Sequence, residues 1–228
     1  MSINDLVLHH YPLTRSVRVL WLLHELGKER VQFGVKRVEL LAGEARSPAF
    51  MAKNPNHAVP VVEFTDSAGK PLVMFESCGI VQFLADALAP GVLAPKVGPT
   101  AERAEFEKWV WFAGSWMDQL LWQLRQHAPG GILPEEERDE RTVARTKAKW
   151  EEEVEPQVVK QLQAVGDAGY ILGSEFSAAD CVVGHTLRWS TMYGLSGRRE
   201  IRDYLERCSA RPAYQAAYAD ADTFGAKL

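Results

Sequence analysis

Residues 54–86 read NPNHAVPVVEFTDSAGKPLVMFESCGIVQFLAD. Val61 to Phe64 and Leu72 to Phe75 are short apolar runs on either side of Asp66-Ser67-Ala68-Gly69, a turn-rich spacing that predicts a β-hairpin. A proline precedes the first run at Pro60, where a strand tolerates one. The second run passes through Glu76-Ser77 into a helical pattern that extends to about Ala87, with Ser77 as its expected N-cap. A hairpin feeding a helix is half of a small mixed domain.

Working back from residue 54, Pro48 to Lys53 suits one short helix and Val35 to Leu40 a strand. Ser16 to Leu26 places Val17, Leu20, Trp21 and Leu23 at helical spacing and stops at Gly27, and Leu6 to His10 opens the chain as a strand. The order is β-α-β-α-β-β-α, which fits a mixed sheet with helices on its faces. Working forward, Pro90, Gly91, Pro95, Gly98 and Pro99 form a linker over 89–100. Helical patterns follow alone: Ala101 to about Gln126, Pro134 to about Val165, Ser177 to Tyr193, Ile201 to Cys208 and Pro212 to Ala221. The expected organisation is an α/β domain over 1–88 and an all-helical domain over 101–228.

The chain has 228 residues, 46% of them apolar, which is enough to bury two modest cores. Its formal charge of -4 supplies no attraction to phosphate backbones, so nucleic acid is not an expected partner. No uncharged stretch approaches the roughly 20 residues of a membrane span, and no secretory leader is expected at the N-terminus. Three scattered cysteines, Cys78, Cys181 and Cys208, make neither a CxxC motif nor an even set for disulfides. A reducing, cytoplasmic compartment is the expectation, with no metal and no permanently bound cofactor.

Several residues carry chemical potential. A cis Val59-Pro60 bond would turn the Val59 backbone N–H and C=O outward, ready to pair with an extended peptide; an ordinary trans proline is the commoner alternative. Ser77 at a helix N-terminus suits a carboxylate, and Glu76 beside it suits an ammonium group. Together they would hold the zwitterionic end of an amino acid. Cys78 follows where a thiol can be acidified, although such a cysteine is more often a small buried hydrophobe.

These motifs acquire a family when taken together. LLAGEARSPAFMAKNPNHAVPVVEF over 40–64 and FESCGIVQFLAD over 75–86 resemble the soluble glutathione transferases, especially their phi- and theta-like branch. The resemblance extends to LHHYPLTRSVRVLWLLHELG over 8–27 and YILGSEFSAADCVVGHTL over 170–187. It implies a thioredoxin-like first domain, a helical second domain lining an electrophile site, a homodimer, and glutathione as co-substrate. Val59 and Pro60 would meet the cysteinyl backbone of glutathione, Glu76 and Ser77 its γ-glutamyl end, and Arg46 its glycine carboxylate. His57-Ala58 departs from the family pattern before Val-Pro, and His57 is the candidate replacement contact.

Glutathione reacts as its thiolate, so a thiol with a pKa of about 8.5 must be acidified. The resemblance places a hydroxyl four residues before Arg18, at Thr14, where the family usually has serine. Ser16 is the second candidate, with an N-cap of the first helix as its other role, and Tyr11 is a third that serves better as a wall of the cleft. No cysteine occupies 14–16, so chemistry through an enzyme mixed disulfide there is not expected. In WVWFAGSWMDQLLWQL, over 109–124, Trp109, Phe112, Trp116 and Leu120 share one face of a regular α-helix and would line an apolar electrophile site or an interface. The implied activity adds glutathione to an apolar electrophile, with peroxide reduction as a variant; the alternative is a non-catalytic glutathione-binding or protein-interaction module of the same fold. SAAD, over 177–180, reads as a capping box.

Overall fold

The computed structural model describes residues 3–224. Its first unit is built on a four-stranded sheet in the order β2-β1-β3-β4, formed by β1 (Asn4–His10), β2 (Phe33–Arg37), β3 (Val61–Thr65) and β4 (Pro71–Phe75). β1 and β2 are parallel because α1 (Ser16–Leu26) carries the chain back between them; β3 and β4 are the expected hairpin. α2 (Pro48–Met51) and α3 (Ser77–Leu88) complete the βαβαββα order of a thioredoxin-like domain. The core lies where the apolar side of β1 and β3, with Leu6, Leu8, Val62 and Phe64, meets the buried faces of α1 and α3. Arg18 is fully buried among these helices and donates from Nη1 to Ser77 Oγ at 3.1 Å.

β2 starts and stops about two residues before the stretch expected for it. Leu6 pairs with Phe33 and His10 with Arg37, so the parallel register with β1 sets its limits rather than its own apolar run.

The described residues from Ala210 onward belong to this first unit, and Thr100–Ser209 form the second. The stretch 101–228, read from the sequence as one helical domain, is therefore shared between the two units. α10 (Pro212–Ala217) packs on α1, with the Tyr214 ring edge-on to Trp21 at 4.9 Å. Arg211 grips the largely buried Glu25 through two hydrogen bonds of 2.6 and 2.7 Å, and Trp21 Nε1 donates to the same carboxylate at 2.9 Å. Arg37 Nη1 donates to Thr223 Oγ1 at 2.7 Å, which fastens the end of this segment to β2. The Arg211–Glu25 and Arg37–Thr223 bonds join residues 186 positions apart, so the pattern along the last helix could not show which unit it joins.

The second unit comprises α4 (Ala101–Trp111), α5 (Asp118–His127), α6 (Glu140–Lys149), α7 (Glu155–Val165), α8 (Ala178–Thr191) and α9 (Arg199–Ser209). Wider π-type turns at Phe112–Met117 and Trp150–Val154 join α4 to α5 and α6 to α7. The expected helix from Pro134 begins at Glu140 instead. Asp139 caps it by accepting from Arg141 N, while Arg138 donates to the carbonyls of Leu133 and Gly131 and holds 134–139 out of the helix.

Ser177 and Asp180 form the expected capping box at the start of α8. Asp180 Oδ2 accepts from Ser177 N at 2.8 Å, and Oδ1 accepts from Ile171 N at 2.8 Å and from Tyr204 Oη at 2.9 Å. Burial pushes this carboxyl's pKa up, with the hydrogen bonds opposing that rise, and burial likewise drives the Tyr204 phenol well above its usual range. Asp180→Ala strands four buried donors at once, the Ser177 hydroxyl included. We expect it to lower unfolding free energy by about 3 kcal/mol, read from the midpoint of urea denaturation, with Asp180→Asn intermediate.

Candidate functional site

Val61 pairs with His9 of β1 on one side and with Phe75 of β4 on the other. The segments just beyond those three residues therefore leave the sheet at the same end: His10 to Ser16, Val59-Pro60, and Glu76-Ser77. This register brings together candidates that lie up to 66 positions apart in the chain.

Val59-Pro60 is a cis peptide bond. The loop before it is shaped by Asn54, which is buried; its Nδ2 donates to Ala58 O at 2.7 Å and its Oδ1 accepts from Asn56 N at 3.0 Å. Glu76 is exposed and has φ 77°, a left-handed conformation that a non-glycine residue adopts at a cost. It occupies the N-cap position of α3 without a side-chain capping bond. Ser77 is thus the first helical residue rather than the cap, and its hydroxyl accepts from Arg18. Cys78 is buried beside the same guanidinium, its sulfur 4.0 Å from Nη1. Arg46 ends a short 3-10 turn and His57 has φ 45° in the loop before Val59; both are exposed.

The turn after β1 gathers two hydroxyls onto one peptide group. Thr14 Oγ1 donates to Tyr11 O at 2.7 Å and lies 2.7 Å from Ser16 Oγ, while Tyr11 N donates to Ser16 Oγ at 3.2 Å. Thr14 is half-buried, whereas Ser16 is 0% exposed. Ser16 is the first helical residue of α1 and caps nothing. Its oxygen lies 2.7 Å from His10 Nδ1 instead. Tyr11 is buried, its ring against Phe224 at 5.8 Å and beneath the Arg37 guanidinium at 4.9 Å.

Adjacent strand residues face opposite ways, which separates the two histidines. His9 Nε2 meets Glu63 at 2.5 Å, and Lys53 bonds the same carboxylate. Burial raises the Glu63 pKa, but the bonds from Lys53 and His9 outweigh it and hold the carboxyl below its usual value. His10 turns toward Ser16 and, through Nε2, toward Asp220 Oδ2 at 3.2 Å. Sequence reading missed His10, Asp220, Asn54 and the partnership of Arg18 with Ser77. A histidine pair at a strand end and an asparagine opening the loop to Val-Pro were the available signals; nothing in the sequence pointed to Asp220.

In the second unit the π turn redistributes the aromatic residues. Trp109 is 4% exposed and meets Phe112 edge-on at 5.8 Å, while Trp116 is 39% exposed beneath Lys149 Nζ. Trp109 and Leu120 are buried, so the face expected from regular α-helical spacing is split, because a π turn spends extra residues on one revolution.

Residues 14–87 match the family model for the glutathione S-transferase N-terminal domain, the segment that carries Thr14, Ser16, the cis Val59-Pro60 bond, Glu76 and Ser77. The first unit is thus similar to the N-terminal domain of the glutathione S-transferases. The chain is 25% identical to glutathione S-transferase GstA of Escherichia coli O157:H7 over 86% of its length and 88% of that protein. Glutathione S-transferase 3 of Schizosaccharomyces pombe is 27% identical over 51% of this chain, a match spanning 44% of the relative's length. A glutathione transferase from Burkholderia graminis, solved with two glutathione molecules per subunit, superposes with a TM-score of 0.78 at 26% identity, covering 97% of this chain and 90% of that one. Among the described residues no helix is long and apolar enough to cross a membrane.

Burial lowers the His10 pKa from the ordinary 6.5; Asp220 opposes that shift and Arg37 adds to it. The unfolded chain therefore binds more protons than the folded one just below pH 6.5, so stability is lost as pH falls from 6.5 toward the lower folded value. The His10 imidazole of the free protein should titrate with a midpoint below 6.5 by NMR. His10→Gln should remove that part of the acid slope of stability.

Proposed function

We propose that this chain is a glutathione S-transferase that binds glutathione at the end of its sheet, converts the thiol to thiolate at Thr14, and transfers it to an apolar electrophile. The observation that carries the reading is the convergence, within the family-matched segment, of an accessible hydroxyl at Thr14, the Val59-Pro60 segment and an acidic residue beside a helix N-terminus. The Val59 backbone pairs with the cysteinyl unit of glutathione. Glu76 takes the γ-glutamyl ammonium and the N-terminus of α3, with Ser77, its carboxylate. Arg46 and His57 attend the glycine end and the approach to Val59.

Thr14 rather than Ser16 meets the sulfur. Ser16 has no exposed surface and its oxygen is already engaged by Tyr11 N, whereas Thr14 is half-open and can turn its hydroxyl proton from Tyr11 O to the sulfur. A hydroxyl donor and the adjacent N-terminus of α1 both favour the thiolate over the thiol. Phe112 and Trp116 are the aromatic residues proposed to receive the apolar electrophile, and peroxide reduction by the same thiolate is the variant chemistry. The active form is a cytoplasmic homodimer.

The test is the pH titration of thiolate absorbance in the glutathione complex. Wild type should show a midpoint at least about one unit below the free thiol's ~8.5. Thr14→Ala should lose the shift and Thr14→Ser keep it. A normal thiol midpoint at saturating glutathione would favour a binding module without chemistry. Glu76→Ala should weaken glutathione binding by roughly 10-fold or more in calorimetry, with the thiolate midpoint of the saturated complex nearly unchanged.

A further inference from the structure

The hydroxyl pair is the outer end of a longer chain of hydrogen bonds. Thr14 Oγ1 lies 2.7 Å from Ser16 Oγ, Ser16 Oγ lies 2.7 Å from His10 Nδ1, and His10 Nε2 lies 3.2 Å from Asp220 Oδ2. A carboxylate only accepts, so the Nε2 position carries the imidazole proton and Nδ1 presents a lone pair inward. Ser16 then donates to Nδ1, and the Thr14 proton, which has Tyr11 O and Ser16 Oγ both at 2.7 Å, can swing from the carbonyl onto the Ser16 oxygen. In that orientation every proton along the line points from Thr14 toward His10, whose inner nitrogen is vacant. Ser16 and His10 are 0% and 1% exposed, so this Ser-His-Asp set offers no nucleophile to a bulky acyl substrate. It is suited to passing a proton.

We propose that His10, oriented by Asp220 of the returning C-terminal segment, receives the proton that the glutathione thiol gives up, relayed through Thr14 and Ser16. This rests on the reading of Thr14 as the group that meets the sulfur. The S–H proton moves to Thr14 Oγ1, the Thr14 proton to Ser16 Oγ, and the Ser16 proton to His10 Nδ1. One S–H bond breaks, one N–H bond forms, and each hydroxyl ends with one proton as it began. Thiol and neutral imidazole become thiolate and imidazolium, with no change in total charge.

The transfer reverses the hydrogen bonds. His10 Nδ1 now donates to Ser16, Ser16 to Thr14, and Thr14 to the sulfur, so the line that accepts the proton afterwards stabilises the anion it leaves behind. Asp220 is a positioning residue: it selects the receptive tautomer beforehand and pairs with the imidazolium afterwards. The charged groups acting on His10 are Asp220, from the segment after α10, and Arg37, from β2, with opposite effects. Asp220 is 38% exposed, which lets the Nε2 proton exchange with water.

The decisive measurement is the nitrogen NMR spectrum of His10 at pH 7 in the full chain, with saturating glutathione and, separately, with S-methylglutathione, which has no thiol proton. Both His10 nitrogens should take imidazolium shifts with glutathione and stay neutral with the methylated ligand. In Asp220→Asn the thiolate midpoint should rise by about one unit, while affinity for S-methylglutathione changes by less than roughly twofold. Asp220→Glu should recover part of the shift. Thiolate absorbance with a neutral His10, or an unmoved midpoint in Asp220→Asn, would overturn the relay alone. Absence of thiolate in wild type would overturn the transferase reading and the relay together.

Discussion

Val61 pairs with His9 on one side and Phe75 on the other, and every candidate group of the first unit takes its place from that register. A slip of one residue would turn the buried Phe64 away from the core and the Glu63 carboxylate toward it. The same slip would move Val59-Pro60 away from the hydroxyl turn and from Glu76. Core burial thus enforces the alignment of the site, although none of the residues at that end supplies much apolar area itself. The Arg18 to Ser77 bond reinforces it by tying the first turn of α1 to the first turn of α3.

The returning C-terminal segment adds a second constraint. Arg211 on the buried Glu25 and Tyr214 on Trp21 dock α10 against α1, and the chain then runs on to Asp220, Thr223 and Phe224 beside β1 and β2. A charge-assisted, two-pronged grip on a carboxylate with little solvent competition is the strongest kind of polar anchor a surface helix can have. Asp220 and the turn it faces are thereby parts of one folded unit although Ser16 and Asp220 lie 204 positions apart. The electrostatics around His10 follow from this assembly. Burial favours the neutral ring, and Asp220 opposes that effect at the outer nitrogen.

Much of the fold was legible because it is written in local signals. The hairpin, the helix ended by Gly27, the proline before β3 and the Ser177-Asp180 box each depend on a few adjacent residues, and each is where the pattern put it. Reading failed where the deciding partner was distant. Ser16 and Ser77 have the composition of caps, yet their hydroxyls are taken by His10 and Arg18. The aromatic spacing of 109–124 suits an α-helix, yet a π turn inside it separates Trp109 from Trp116.

By itself, the sequence determined the order of elements, the βαβαββα domain and the set of residues around Val59-Pro60 and Glu76-Ser77 that mark the family, because periodicity, turn chemistry and motif spacing act over a few positions. Only the tertiary structure decided which hydroxyl is open, which unit the last helix joins, and that His10 and Asp220 stand behind Thr14. Those outcomes are set by which side chains bury one another across the fold, and burial between residues 10, 16 and 220 leaves no trace in the spacing of any one segment.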